Sequence, residues 1–155
     1  MPETVRSADG TTIAYDQVGS GPSVIAIGGA FNVRQSHAGL ADVLAPNFTV
    51  YTYDRRGRGD STDTEPYAVE REIEDLAALI DGAGGSAYVY GHSSGACLAL
   101  EAASRGLPIP KLVVYEPPYA TDEESESGDL SKDIQEAIDA GRPDQAAELF
   151  LGNMG

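Results

Sequence analysis

Short apolar runs are interleaved with amphipathic stretches along this chain. Ser23-Val24-Ile25-Ala26-Ile27 is apolar at four successive positions, the pattern of a strand buried on both faces of a parallel sheet. Leu112-Val113-Val114-Tyr115 has the same composition, and Ala87-Tyr88-Val89-Tyr90 is a third apolar run. Ala96-Cys97-Leu98-Ala99-Leu100-Glu101-Ala102-Ala103-Ser104 is a strong helix former. Farther on, Ile134, Ala137 and Ile138, then Ala146, Ala147, Leu149 and Phe150, recur at helical spacing. Gly141-Arg142-Pro143 interrupts them, so Leu130–Leu151 predicts two short amphipathic helices.

One junction between these elements carries chemistry. Gly91-His92-Ser93-Ser94-Gly95 lies between the run ending at Tyr90 and the helix former that follows. A strand, G-x-S-x-G and a helix in that order form a nucleophile elbow, with Ser93 at its tip. A serine hydroxyl attacks a carbonyl only when it is exposed, oriented and served by a base. The sharp turn exposes Ser93, and the tight backbone requires the small neighbours Gly91 and Gly95. The helix beginning near Ser94 directs its amides and positive dipole end at charge developing on the substrate oxygen, which makes the Ser94 amide the first oxyanion donor. A second donor is expected after the strand Val24–Ile27, where Gly28-Gly29-Ala30-Phe31 lets the backbone approach a ligand. The amide of Ala30 fits that place, with Phe31 as the other candidate and a wall of the pocket.

From the N-terminus to about residue 119 the chain resembles the α/β-hydrolase superfamily. The resemblance rests on the elbow, on Tyr53-Asp54-Arg55-Arg56-Gly57-Arg58-Gly59-Asp60-Ser61 after the strand Thr49–Tyr53, and on the order of the elements. These include a hairpin (Thr4–Ser7, then Thr12–Val18) around Asp9-Gly10 and a helix near Val69–Asp81. The resemblance implies an α/β fold with a mostly parallel sheet flanked by helices. Residues 1–119 would form the N-terminal part of the core, its C-terminal strands missing, and residues 120–155 an acidic loop and the first helices of a lid. It also implies hydrolysis of an ester, thioester or similar carbonyl compound. In many relatives His-Gly stands where this chain has Gly28-Gly29, so the loop lacks the contacts of that histidine.

The rest of a catalytic triad is not evident. The superfamily order is nucleophile, acid, histidine, yet the two histidines, His37 and His92, both precede Ser93. His92 belongs to the elbow and its side chain should leave in a different direction from the Ser93 hydroxyl; it is expected in the pocket wall. His37 suits the surface or the pocket rim. Glu116, at the end of its strand, is the best-placed carboxylate, and without a histidine to orient it is expected to be a pocket or structural residue. Domains of this kind run to roughly 200–250 residues. Acid and histidine are therefore expected from C-terminal sequence absent here, with a second chain or self-association covering the strand at Leu112. The alternative is a non-catalytic small-molecule-binding or interaction module without a complete triad.

Composition narrows the setting. Net charge is −15, which gives no footprint for nucleic acid or an anionic membrane. Arg55, Arg56 and Arg58 form the one basic cluster and are expected to pair with nearby carboxylates. The stretch from Thr121 to Asp129 reads as a solvated acidic loop. The single cysteine, Cys97, is expected to be a small buried residue. No metal-ligand cluster, cofactor motif, signal peptide or membrane-length apolar run is present, so a cytoplasmic protein acting on a small molecule without a cofactor is the expectation.

Overall fold

The computed structural model describes residues 1–119 and 127–153. Six strands, β1 (Glu3–Arg6), β2 (Thr12–Gly19), β3 (Ser23–Ile27), β4 (Thr49–Tyr53), β5 (Tyr88–His92) and β6 (Leu112–Tyr115), form one sheet in the order β1-β2-β4-β3-β5-β6. β1 and β2 are an antiparallel hairpin, and β2 also runs antiparallel to β4. β4, β3, β5 and β6 are mutually parallel. The helices are α1 (Ala38–Leu44), α2 (Val69–Gly82), α3 (Ser94–Ser104), α4 (Ser127–Asp139) and α5 (Pro143–Gly152), with a short 3-10 turn at Arg34–His37. The α/β fold with a mostly parallel sheet is as expected. No helix among the described residues is long and apolar enough to cross a membrane.

Burial explains the central strands. Ile25 and Ile27 in β3, Val50 in β4 and Val89 in β5 are almost wholly enclosed, as strands covered on both faces must be. α2 presents Ile73, Leu76, Leu79 and Ile80 to that core at helical spacing, while Glu70 and Glu72 in its first turn complement the helix dipole. α3 buries Ala96, Ala99 and Ala102, small residues that let its backbone lie close to the sheet.

The chain divides into two compact units, Met1–Pro118 and Tyr119–Gly155. In the second, α4 and α5 pack on one another through Ala137 and Ala146, and Gly141 turns the chain between them at φ +70°. The break expected at Gly141-Arg142-Pro143 is real, with Pro143 opening α5.

β6 is composed for burial yet lies at the sheet edge, the open apolar strand for which the sequence calls for a cover: Val113 is 60% and Tyr115 53% exposed, and β5 is its one strand partner among the described residues. Two expectations need correction. The acidic stretch is not loop throughout: Ser127–Asp129 open α4, where Asp129 meets the dipole of the first turn; residues 120–126 lie outside the described residues. Cys97 is half-buried rather than buried.

Candidate active site

Ser93 sits between β5 and α3 with φ 54° and ψ −122°, a conformation that L-residues avoid. The strain is maintained by contacts around the turn. A β-carbon on Gly91 would lie 2.6 Å from Ala96 Cα, and one on Gly95 would lie 2.5 Å from the carbonyl oxygen of Ile27. Only glycine allows the turn to fold this tightly and α3 to seat against the end of β3. The Ser93 N–H donates to the carbonyl of Tyr115 at 2.9 Å, tying the turn to the end of β6.

Two further non-glycine residues have positive φ, Phe31 at 59° and Glu116 at 49°. With Ser93 they follow the carboxyl ends of β3, β5 and β6, three neighbouring strands. Each such residue costs about 1–3 kcal/mol, and strain of this kind concentrates where a fold aims groups at a ligand.

The loop after β3 packs directly against the elbow. A β-carbon on Gly29 would be 3.1 Å from Ser93 Cβ and 3.2 Å from the His92 carbonyl oxygen. The Gly29 N–H donates to Asn32 Oδ1 at 2.8 Å, and His92 Nδ1 lies 3.3 Å from the same oxygen, to which it donates when protonated there. The Ala30 and Ser94 amides have no acceptor among the described residues.

His37 is half-buried and meets His92 edge-on at 6.1 Å and Tyr90 at 6.0 Å, while the His92 ring tilts against Tyr115 at 5.7 Å. Burial, with the neighbouring His92, lowers the His37 pKa below its usual 6.5. Neither histidine bonds the Ser93 hydroxyl among the described residues. Glu116 is exposed just past β6. The structure thus brings Ser93, Ser94, Ala30, Phe31, His92 and Glu116 to one end of the sheet without assembling a triad there.

The basic loop after β4 supports the site from behind. Asp54 is fully buried and accepts the backbone N–H of Arg34 at 2.7 Å and that of Asp60 at 3.0 Å, besides the guanidinium of Arg34. Ser61 Oγ donates to the Asp54 carbonyl at 2.6 Å and accepts the Ala14 N–H at 2.9 Å. Arg55 is clasped by Glu72 through two 2.6 Å bonds and also donates to the Gly28 carbonyl at 3.2 Å and to Ser94 Oγ at 3.0 Å. Arg56 forms a two-bond pair with Asp75 and reaches Asp9 at 3.0 Å. Arg58 departs from the expectation of carboxylate pairing: its Nη1 donates to the Gly29 carbonyl at 2.9 Å, and it has no acid partner among the described residues.

The profile of the Alpha/beta hydrolase family matches residues 9–153. The chain belongs to the alpha/beta hydrolase family. It is 36% identical over 96 residues to a protein of Bacillus subtilis (strain 168) named uncharacterized hydrolase YraK, a match covering 59% of this chain and 35% of that one. It is 32% identical over 106 residues to N-formylmaleamate deformylase of Pseudomonas putida (strain KT2440), covering 66% of this chain and 40% of that one. Among solved structures, an alpha/beta hydrolase from Sphaerobacter thermophilus DSM 20745 superposes with a TM-score of 0.90 at 55% identity, over 96% of this chain and 59% of that one. The chain therefore spans well under half the length of these curated relatives and about three-fifths of the structural one.

Within this alpha/beta hydrolase chain, sequence reasoning missed Asn32. An asparagine three residues past a glycine pair has no distinctive spacing, and its role follows from the path of the loop. It also missed that Asp54 and Ser61 tie the basic loop to Arg34 and to the Ala14 amide of β2, which their place beside a strand end does not reveal.

Proposed function

We propose that this chain carries the nucleophile and oxyanion hole of a serine hydrolase acting on an ester, thioester or similar carbonyl compound. The backbone of Ser93, held at φ 54° between β5 and α3, carries the reading. Ser93 Oγ attacks the substrate carbonyl as the histidine takes its proton, the Ala30 and Ser94 amides hold the oxyanion of the tetrahedral intermediate, that intermediate collapses to an acyl-enzyme as the leaving group departs with the proton, and water then cleaves the acyl-enzyme. Phe31, His92 and Glu116 wall the pocket.

The acid and the histidine come from sequence outside these 155 residues. Three observations support this: both histidines precede Ser93, His92 Nδ1 is turned to Asn32, and His37 packs against His92. The polypeptide that supplies them covers the exposed face of β6 and a groove of about 500 Å³ between α1 and the sheet, lined by Pro22, Leu40, Leu44, Phe48, Tyr88 and Val113. α4 and α5, a unit following β6, are the start of a lid.

A fluorophosphonate probe with peptide mapping tests the reading. The 155-residue chain should react slowly, at Ser93, and Ser93→Ala should abolish the adduct. An elbow without its base retains only roughly 10³–10⁴ of acceleration over water. Adding the polypeptide that carries acid and histidine should raise ester turnover far above that level. Labelling at another residue, or turnover indifferent to Ser93→Ala, removes Ser93 from the mechanism. Ligand binding without turnover in the completed assembly favours a binding module instead.

A further inference from the structure

Four arginines gather behind the ends of β3 and β4, and three are matched by acids. Arg34 pairs with Asp16, Asp54 and Asp60, Arg55 with Glu72, and Arg56 with Asp75 and Asp9. Arg58 has no such partner among the described residues. Its guanidinium is half-buried, and one of its nitrogens is bound to the Gly29 carbonyl at 2.9 Å, which leaves the remaining donors of the fork unused. The charged side chains that act on it are Arg55 and Glu72, and Glu72 is already engaged by Arg55 and by the Tyr67 hydroxyl. Arg58 is thus the arginine of the four that no carboxylate contacts among the described residues, a locally unpaired cation in a protein whose net charge is −15.

The guanidinium lines a pocket of about 350 Å³ with Ala30, Phe31, Asn32 and Val33. Ala30 is shared with the oxyanion hole, and the Gly29 carbonyl held by Arg58 belongs to the same peptide unit as the Ala30 N–H. The pocket thus has mainly apolar walls, one neutral amide side chain, and one cation with free donors. A planar fork of this kind matches a carboxylate through two parallel bonds, stronger than neutral hydrogen bonds. A single guanidinium suits a monoanion better than a phosphate dianion, which would require additional donors.

We propose that Arg58 makes this pocket a carboxylate subsite, so that the substrate is an acyl compound carrying a carboxylate on the part that lies beside the oxyanion loop. The proposal rests on the serine-hydrolase reading for its substrate, but it concerns equilibrium binding and is tested without turnover.

The test is calorimetric titration of the 155-residue chain, in the Ser93→Ala background to prevent hydrolysis, with monomethyl succinate and with its neutral counterpart dimethyl succinate. The monoanion should bind at least about 10-fold more tightly, the scale of a charge-assisted bond. Arg58→Met should erase that preference, and Arg58→Lys should retain part of it, since it keeps the charge and loses the fork. Raising salt from about 0.02 M to 0.5 M should weaken the monoanion alone. This last arm needs no substitution at Arg58 and holds if Arg58→Met does not fold. Equal affinity for the two esters, binding of neither, a preference surviving in Arg58→Met, or a salt response shared by both overturns the proposal. Loss of fluorophosphonate labelling at Ser93 with the carboxylate preference intact would instead count against the hydrolase reading alone.

Discussion

Asn32 holds the backbone N–H of Gly29 through its side-chain carbonyl, 2.8 Å away, and so sets the orientation of the loop that presents the Ala30 amide. Asn32→Ala should lower unfolding free energy by about 1 kcal/mol, the net worth of one such bond, and slow fluorophosphonate labelling of Ser93 about 10-fold as the loop loosens. Asn32→Asp keeps the acceptor, so stability should hold while the added negative charge still slows labelling. Urea melts and labelling kinetics on both variants separate the two effects. Wild-type labelling rates in both would remove Asn32 from the oxyanion loop's support.

Arg55 and Glu72 form a buried two-bond ion pair that also reaches the Gly28 carbonyl and Ser94 Oγ. Removing one partner strands the other's charge in the interior. Glu72→Gln should therefore destabilise by about 3–5 kcal/mol, seen as a lower denaturation midpoint with an unchanged slope. A loss under 1 kcal/mol would mean that water reaches Arg55.

Gly95 sits in α3 where alanine would ordinarily be favoured by about 1 kcal/mol. A β-carbon there would nevertheless lie 2.5 Å from the Ile27 carbonyl oxygen and 2.6 Å from that of Gly28. Overpacking costs about 1–3 kcal/mol, so Gly95→Ala should be destabilising and should push the oxyanion loop away from the elbow, depressing Ser93 labelling. Gly152, in α5 with open space around it, is the control: Gly152→Ala should leave labelling unchanged and should not lower stability, with a gain of up to about 1 kcal/mol from helix propensity.

His37 makes stability depend on pH near neutrality. Its folded pKa lies below the unfolded value of 6.5 because of burial and the neighbouring His92. Below pH 6.5 the unfolded chain therefore binds a proton that the folded chain does not, and stability must fall as pH drops through that value toward the folded pKa. Above 6.5 this contribution is fully present. His37→Gln should flatten the denaturation midpoint between about pH 7 and 5. Below that window Glu72, whose pKa the Arg55 pair lowers from 4.5, takes over, and Glu72→Gln should remove that part of the acid loss.

Much of the fold was legible because its signals are local. The buried run Val24–Ile27, the helical spacing in Val69–Asp81 and Leu130–Leu151, and Gly91 and Gly95 around Ser93 are each read within a few residues. Leu112–Tyr115 has the composition of an interior strand, which is why a cover was expected for it, and the strand order adds that β5 is its one partner among the described residues.

By itself the sequence determined the order of strands and helices, the elbow with Ser93 at its tip, the glycine pair before Ala30, and the absence of any histidine after Ser93. Backbone torsions and side-chain spacing depend on near neighbours, so residue types suffice to read them. Tertiary structure alone decided which charges meet. Asp75 with Arg56, Glu72 with Arg55, and Arg58 with the Gly29 carbonyl join residues from 17 to 29 positions apart in a chain with 25 acids to choose from. A guanidinium can pair with any carboxylate that reaches it. Which one does, and which arginine is left facing a pocket, is set by the packing of α2 and the β3 loop against the end of β4.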